Sequence, residues 1–338
     1  MPSFDILVRA PVGLLPVLIF LAVLVYMDSY KLVKLKSVLI VIVLGGLTAL
    51  MAMFVNGWLL GALDMSLVPY SRYVSPFVEE CLKALVIIYL FRSSKVGFLV
   101  DSAIMGFAVG TGFALVENFE YLQIYSTASF GVWIVRGFGT AIMHGGVVAM
   151  FAIMSQALTE RQMKINPLYY LPGLAVAVFL HSIFNHFLVA PVLQTIGTLF
   201  ILPPLLQLVF QRSSRALHEW LELDFDADAE LIDMIESGQF SESKIGRFLE
   251  DLRGKFEGPV LVDMLCYLRV YTELAIRAKA LLIARENGFN LPVGERTREK
   301  FEELHFLEES IGKTGCLAMK PFLQIERKDL WQMHVIDH

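Results

Sequence analysis

The chain has 338 residues, of which 56% are hydrophobic and only 18% are charged, whereas soluble globular proteins are nearer a quarter charged. Residues 1–211 hold 11 Lys or Arg and 9 Asp or Glu, and residues 212–338 hold 17 and 24, so a net charge of +2 is followed by one of −7. This distribution excludes a basic nucleic-acid-binding surface and predicts a membrane region, 1–211, followed by a small helical cytoplasmic domain, 212–338.

Apolar segments of the first region have the roughly 20 residues that a helix needs to cross a bilayer core. The last two segments are separated only by Ala190 and Pro191, so they are also compatible with one broken element. We therefore expect an all-α, polytopic transmembrane bundle of about seven helices. The predicted spans are 10–28, 38–60, 76–92, 97–118, 131–157, 167–189 and 191–210.

Lysine and arginine in the short loops predict the orientation, because cytoplasmic loops carry the excess of these residues. The ends on one side hold only Arg9 and Arg72. The sequence therefore predicts a cell-membrane protein with its N-terminus outside and its C-terminus in the cytosol. The residues that mark the cytosolic side are Lys31, Lys34, Lys36, Arg92, Lys95, Arg161, Lys164, Arg212 and Arg215.

Beyond the last span, apolar residues recur every three or four positions from Val260 to Ile283, which indicates an amphipathic helix. Further helices are predicted at 241–253, 295–311 and 315–326, with breaks at Gly288 and Pro292. This tail has no catalytic or phosphate-binding spacing, and it is a candidate binding site for a regulatory protein. The apolar positions of the first helix are Leu261, Met264, Leu265, Leu268, Tyr271, Leu274 and Ala275.

Ionisable residues occur in four consecutive predicted spans, where their cost makes each a candidate functional residue. In the third span, Lys83 follows Glu79 by four residues and Glu80 by three, so it can reach either carboxylate along one helix face. Two acids near a helix N-terminus are also compatible with simple complementation of the helix dipole. In the fourth span, Glu117 lies near the helix end, where a solvated carboxylate is the alternative interpretation.

Glycine and alanine at four-residue steps in the fourth span, Gly106, Gly110 and Ala114, predict close packing against neighbouring helices. In the fifth span, Arg136 and His144 are separated by two four-residue steps through Thr140.

The sixth span places His181 and Asn185 one turn apart. Counting 1.5 Å per residue places the acidic and histidine residues of these spans in the outer half of the bilayer, if Arg136 lies at the outer interface.

This ordered set resembles the PrsW family of intramembrane proteases, which is related to the CAAX prenyl endopeptidase and bacteriocin-processing superfamily. The resemblance covers about residues 76–186. It implies a membrane peptidase that makes a first, extracytoplasmic cut in a single-pass membrane protein such as an anti-sigma factor. The residues that carry it are Glu79, Glu80, Lys83, Glu117, Asn118, Tyr121, Arg136, His144, His181 and Asn185.

Two positions depart from the CAAX endopeptidases. Ala84 stands where those enzymes have arginine, and Glu117-Asn118 stands where they have a histidine-bearing motif. Processing of prenylated proteins is therefore disfavoured, and the PrsW-like interpretation is preferred.

The residue types suggest peptide hydrolysis by an activated water molecule. Glu79 or Glu80 is the predicted general base, and His144 is predicted to share the proton. His181 and Asn185 are predicted to donate hydrogen bonds to the developing oxyanion. Lys83 is predicted to keep the second carboxylate ionised. Glu117 and Arg136 are predicted to orient neighbouring groups.

A zinc enzyme uses the same side chains, because two histidines and one carboxylate leave a fourth position for water. That candidate set is His144, His181 and one of the three glutamates, with Glu80 as the first candidate. The sequence leaves open whether the cofactor is absent or is one zinc ion, because no HExxH motif fixes two ligands on one helix.

Two other classes of protein fit some of these features. A proton-coupled transporter or channel would also use intramembrane Glu, Lys, Arg and His, but it would place them in both leaflets. Here the cytosolic half carries little beyond Asp101. A non-catalytic membrane protein that binds the same substrates is the second alternative.

Overall fold

The computed structural model describes residues 4–28, 30, 33–93, 95–125, 128–159, 166–237, 243–289, 291–292, 294–319 and 323. Within these residues every regular element is a helix, so the predicted all-α class is confirmed. Three residues used to predict orientation, Lys31, Arg161 and Lys164, lie outside the described residues, as does most of 320–326 at the end of the last predicted helix.

The helices of the first unit follow one another with short connections. Two π-helical segments, π1 (Tyr70–Val74) and π2 (Val135–Thr140), are continuous with the helices that follow them. A 3₁₀ turn, Pro167–Tyr170, precedes the eighth helix. The α-helices are α1 (Phe4–Met27), α2 (Leu35–Leu63), α3 (Leu67–Pro69), α4 (Ser75–Arg92), α5 (Leu99–Ile124), α6 (Phe130–Ile134), α7 (Ala141–Thr159), α8 (Leu171–His186) and α9 (Pro191–Glu236).

Six helical stretches of the described chain are long and apolar enough to cross a membrane. The predicted span 76–92 forms helix α4, but its 18 residues include four charged ones, so it is not among the six. The predicted spans 167–189 and 191–210 are separate helices, since α8 ends at His186 and α9 begins at Pro191. The six stretches are Val8–Met27, Leu35–Leu63, Leu99–Ile124, Phe130–Thr159, Pro167–His186 and Pro191–His218.

Helix α5 is the centre of the first unit, and its residues 100–114 are all buried. It packs most extensively against α7 and α2. A Cβ atom on Gly110 would collide with the backbone carbonyl of His144, and one on Gly106 would lie 2.7 Å from the carbonyl oxygen of Val148. The predicted close approach at these two glycines is therefore confirmed. It places the backbone of α5 directly against the backbone of His144, a candidate catalytic residue.

The chain divides into two compact units, Met1–Ser214 and Arg215–His338. The charge transition predicted at 211/212 lies within the range of α9, Pro191–Glu236. The second unit contains α10 (Lys244–Asp251), a 3₁₀ turn, Leu252–Gly254, α11 (Gly258–Glu286) and α12 (Glu295–Met319), the last interrupted at Gly312, where φ is 64°.

Helix α11 is the amphipathic helix predicted in the tail, and its apolar face packs against α12. The helix ends shortly before Gly288, whose φ of 81° lies in the left-handed region that favours glycine. The shared core includes Met264, Leu268, Leu274, Phe301, Leu304 and Leu307.

Candidate active site

Helix α4 begins with a buried acidic pair. Relative exposure is 8% for Glu79, 2% for Glu80 and 0% for Lys83. Neighbouring positions on a helix point about 100° apart, so the two glutamates reach different partners. Both glutamates are therefore buried within the helix bundle.

One oxygen of Glu80 contacts two cationic or donor groups. Its Oε1 accepts a hydrogen bond from Lys83 Nζ at 2.7 Å, and His181 Nδ1 lies 2.8 Å from the same oxygen. Because an ionised carboxylate only accepts, His181 Nδ1 carries the proton in this arrangement, and its Nε2 retains a lone pair. A carboxylate that fixes a histidine in this way is the usual second partner of a metal-binding imidazole.

His144 lies between Lys83 and Glu117. Its Nδ1 is 3.0 Å from Lys83 Nζ, and its Nε2 is 3.2 Å from Glu117 Oε2. An ammonium group only donates, so Nδ1 accepts from Lys83 and Nε2 donates to Glu117. Phe113 supports both groups, with its ring centroid 3.8 Å from Lys83 Nζ and 5.1 Å from the imidazole of His144.

Glu79 presents one oxygen that has no hydrogen-bond partner. Its Oε1 accepts from Ser75 Oγ at 2.6 Å, whereas Oε2 is buried and has no hydrogen-bond partner. Oε2 lies 3.8 Å from Lys83 Nζ and 3.9 Å from His181 Nε2. A buried acceptor of this kind calls for an explanation, since most buried polar atoms are hydrogen-bonded.

Three side chains, Glu79, His144 and His181, place one potential ligand atom each within 4.8 Å of the others. The two imidazole rings meet edge to face, with centroids 4.8 Å apart. One carboxylate and two imidazoles are the donor set of many catalytic zinc sites. Among the described residues, this group contains Glu79, whereas the zinc ligands predicted from the sequence included Glu80 as the first candidate.

Arg136 forms an ion pair with Glu117, which in turn contacts His144. Its Nη2 lies 3.0 Å from Glu117 Oε2, and its Nε donates to Asn118 Oδ1 at 2.8 Å. The guanidinium carbon lies 3.5 Å from the ring centroid of Tyr121. The amide of Asn118 in turn donates to the backbone oxygen of Gly13 in α1 at 2.7 Å. The guanidinium is therefore oriented by an ion pair, a hydrogen bond and an aromatic face.

Asn185 makes a different contact from the predicted one. Its Nδ2 donates to the backbone oxygen of Ser71 at 2.9 Å, and Ser182 Oγ donates to the backbone oxygen of Arg72 at 2.6 Å. Both carbonyls belong to π1, the segment that leads into α4. These two bonds join α8 to the segment that precedes the acidic pair.

Sequence analysis missed two polar residues of other elements that are connected to Glu79 by hydrogen bonds through Ser75. Asn56 lies in α2 and Tyr70 in π1, and both connect to Glu79 through Ser75. A single asparagine inside the apolar span 38–60 was a usable signal, because polar residues in membrane helices tend to bond across helices. Tyr70 offered no such signal, since tyrosine is common at membrane interfaces.

Comparisons with known proteins agree with this geometry. The family model described as PrsW family intramembrane metalloprotease matches residues 34–210, which include all of the residues gathered at the site except Gly13. Neither the curated proteins nor the solved structures include a match to the chain. The match covers more than half of the chain, so this protein belongs to the PrsW family of intramembrane metalloproteases and is a multi-pass membrane endopeptidase.

Proposed function

We propose that the cluster of Glu79, His144 and His181 is the catalytic centre and that it cuts a peptide bond in a single-pass membrane protein. The observation that carries this proposal is Glu79 Oε2, a buried carboxylate oxygen with no hydrogen-bond partner, 3.9 Å from His181 Nε2. A site built to hold a water molecule or an ion needs such open acceptors in a protected position.

The surrounding residues support this centre by fixing its side chains. Glu80 orients His181 so that Nε2 faces Glu79, and Lys83 balances the charge of the two carboxylates. Glu117, held by Arg136, orients His144. Pre-organised groups of this kind stabilise charge that develops in the transition state without reorganising during the reaction.

The donor set fits a zinc ion held by Glu79, His144 and His181. We propose Glu79 as the carboxylate ligand, because Glu80 Oε1 already accepts from Lys83 and lies against His181. When bound, zinc supplies Lewis-acid polarisation of the scissile carbonyl. His144 must then release either Lys83 or Glu117, since both of its ring nitrogens are engaged.

A metal-free reaction is the second candidate, and the contact between Lys83 and His144 favours it. Lys83 Nζ occupies the acceptor nitrogen of His144 at 3.0 Å. In this reaction Glu79 Oε2 takes a proton from the attacking water, and His144 gives its Nε2 proton to the leaving amine while it takes a proton at Nδ1 from Lys83. Glu79 then returns the water proton to Lys83, so the net transfer is from water to the amine. Both mechanisms use the same side chains, so substitutions alone do not distinguish them. A chelator does, because only the zinc-dependent reaction is sensitive to it.

We further propose that the cut is made on the extracytoplasmic side of the cell membrane and that the substrate is of the anti-sigma-factor type. The supporting observations are the Lys and Arg bias and the resemblance described above. In this proposal residues 1–211 form the peptidase domain. The tail, 212–338, lies in the cytosol and is a candidate binding site for a regulatory protein. One N–H of the Asn185 amide donates to the backbone oxygen of Ser71, and its second N–H is the one proposed as an oxyanion donor.

The proposal is tested by cleavage of tagged single-pass substrates in membranes that contain the full-length chain. Glu79→Gln, His144→Ala and His181→Ala are expected to lower kcat/KM by at least about a thousandfold, because each removes a group at the reaction centre. Chelator is expected to abolish wild-type cleavage and added zinc to restore it. Cleavage that is insensitive to chelator selects the metal-free reaction.

Two matched variants control for general damage to the fold. Glu120→Gln changes a glutamate one turn from the site. His186→Ala removes a histidine of α8 whose ring contacts Ser182 and Tyr73. Both controls are expected to cleave at wild-type rates. Wild-type cleavage by all three centre variants would contradict the proposed site.

A further inference from the structure

A series of three hydrogen bonds reaches the second oxygen of Glu79 from neighbouring elements. Tyr70 OH donates to Asn56 Oδ1 at 2.9 Å, Asn56 Nδ2 donates to Ser75 Oγ at 3.0 Å, and Ser75 Oγ donates to Glu79 Oε1 at 2.6 Å. The three residues come from π1, α2 and α4. Tyr70 is 3% exposed, so this series begins inside the protein.

The direction of these bonds is fixed by chemistry. The amide nitrogen of Asn56 only donates, so the lone pair of Ser75 Oγ is used to accept from it. The hydroxyl hydrogen of Ser75 is then free to point at Glu79 Oε1. A hydroxyl bonded to a carboxylate is a charge-assisted bond, which is stronger than a bond between neutral groups.

This bond determines which oxygen of Glu79 is available to the reaction. With Oε1 held by Ser75, the carboxylate presents Oε2 at 3.9 Å from His181 Nε2. Rotation of the carboxylate away from this position breaks the bond to Ser75. The contact with Ser75 therefore both engages Oε1 and leaves Oε2 open.

We propose that Ser75, Asn56 and Tyr70 are positioning residues that hold the carboxylate of Glu79 with Oε2 toward the two histidines. The inference rests on the proposed function of Glu79, and it applies whether Oε2 binds zinc or takes a proton from water. Supporting shells of this kind keep a reactive group within the narrow range of geometry that a reaction needs.

A purely structural bond between α2 and α4 would behave differently. Its loss would lower stability, by a similar amount for each broken bond, and would not act selectively on turnover. A positioning role instead lowers kcat with little change in KM, is restored by a residue that keeps the hydroxyl, and couples the three residues to one another.

The test measures kcat, KM and zinc affinity for the full-length protein. Ser75→Ala is expected to lower kcat about 10- to 100-fold with KM within about twofold of wild type, and Ser75→Thr to restore kcat to within about threefold. Tyr70→Phe is expected to lower kcat about threefold in the wild-type background and to have no further effect in Ser75→Ala. The zinc dissociation constant, measured by chelator competition, is expected to rise about tenfold in Ser75→Ala.

Matched controls remove hydroxyls that do not contact Glu79. Ser71→Ala removes a hydroxyl of π1 that donates to the backbone oxygen of Val68, and Tyr73→Phe removes one from a side chain that is 61% exposed. Both are expected to keep wild-type kcat and zinc affinity. If this protein binds no zinc, the kcat values alone test the positioning role.

Several results would overturn the positioning role, and one of them would also overturn the proposed function. A kcat for Ser75→Ala within about twofold of wild type, while Glu79→Gln is inactive, overturns this inference and leaves the proposed function standing. A loss that Ser75→Thr does not restore, or a Tyr70→Phe effect that adds fully to Ser75→Ala, also overturns it. Wild-type turnover by Glu79→Gln overturns the proposed function itself, and this inference with it.

Discussion

The two adjacent glutamates of α4 differ in the contacts that other elements bring to them. Glu80 Oε1 accepts from Lys83 and contacts His181, so its charge is compensated and its position is fixed. Glu79 keeps one oxygen open and buried. At the scale of residues, the proposed function therefore gives the same side chain, one position apart, an anchoring role in Glu80 and a reactive role in Glu79.

The anchor can be distinguished from the reactive group by one substitution. Glu80→Gln keeps an oxygen that can accept from His181 but removes the charge that pairs with Lys83. We expect kcat/KM to fall about 10- to 100-fold, as for other residues that orient a ligand, whereas Glu79→Gln removes at least about a thousandfold. Steady-state kinetics with one substrate compares them, and equal losses in the two variants would argue against separate roles.

The sequence predicts which residues lie at this site, but it does not predict which contacts each of them makes. Glu79, Glu80, His144 and His181 stand out because ionisable groups are rare in membrane spans. Which glutamate meets which histidine depends on contacts between residues about 100 positions apart, such as Glu80 with His181. The bond between Asn185 and the backbone of Ser71 was equally hidden, because a backbone carbonyl has no signature in the sequence.

Helix contact distance is the element-scale property on which the site depends. Gly110 of α5 meets the backbone of His144, so α5 and α7 touch without intervening side chains. Glu117, about two turns further along α5, lies beside His144 Nε2. The position of the histidine is thus set by a glycine that takes no part in the chemistry.

Gly110→Ala is expected to impair both folding and cleavage. The added methyl group collides with the carbonyl of His144 and the Cα of Gly145, which are backbone atoms that cannot move independently. Overpacking of this kind costs about 1–3 kcal/mol, and displacement of His144 should also lower kcat. Thermal unfolding in detergent and cleavage kinetics measure the two effects.

Gly57→Ala is the matched control for this substitution. Gly57 lies inside α2, where a Cβ atom would meet nothing within 4 Å. Replacing glycine by alanine there should change stability by at most about 1 kcal/mol, in the favourable direction, and should leave kcat unchanged. A Gly110→Ala protein as stable and active as Gly57→Ala would contradict the importance of the α5 to α7 contact.

The helices themselves were predictable, but their π-helical segments were not. Runs of about 20 apolar residues identify membrane helices reliably, and the six long helices follow such runs. The spacing of Arg136, Thr140 and His144 suggested one continuous α-helical face, whereas π2 interrupts it at Val135–Thr140. Such segments are stabilised by tertiary contacts and often lie at functional sites.

At the scale of the whole molecule, the two sides of the membrane are predicted from charge alone. Single-cysteine versions of the full-length chain, with Cys81, Cys266 and Cys316 replaced, test this. The exposed positions Asp64 and Lys95 lie at opposite ends of the membrane unit in the predicted orientation.

An impermeant thiol reagent applied to intact cells should label Asp64→Cys, whereas Lys95→Cys should react only after permeabilisation. The reverse pattern would place the acidic pair at the cytosolic side and would contradict an extracytoplasmic cut. Labelling of both variants in intact cells would show a mixed orientation, which the charge bias does not allow.

The unpartnered oxygen of Glu79 also affects how the family can change over time. A buried acceptor without a hydrogen-bond partner costs about 1–3 kcal/mol, so this oxygen lowers the stability of the folded state. Positions kept for function are often costly to stability in this way. Relatives that keep the bundle but have lost the acid at this position are therefore expected to bind membrane proteins without cutting them.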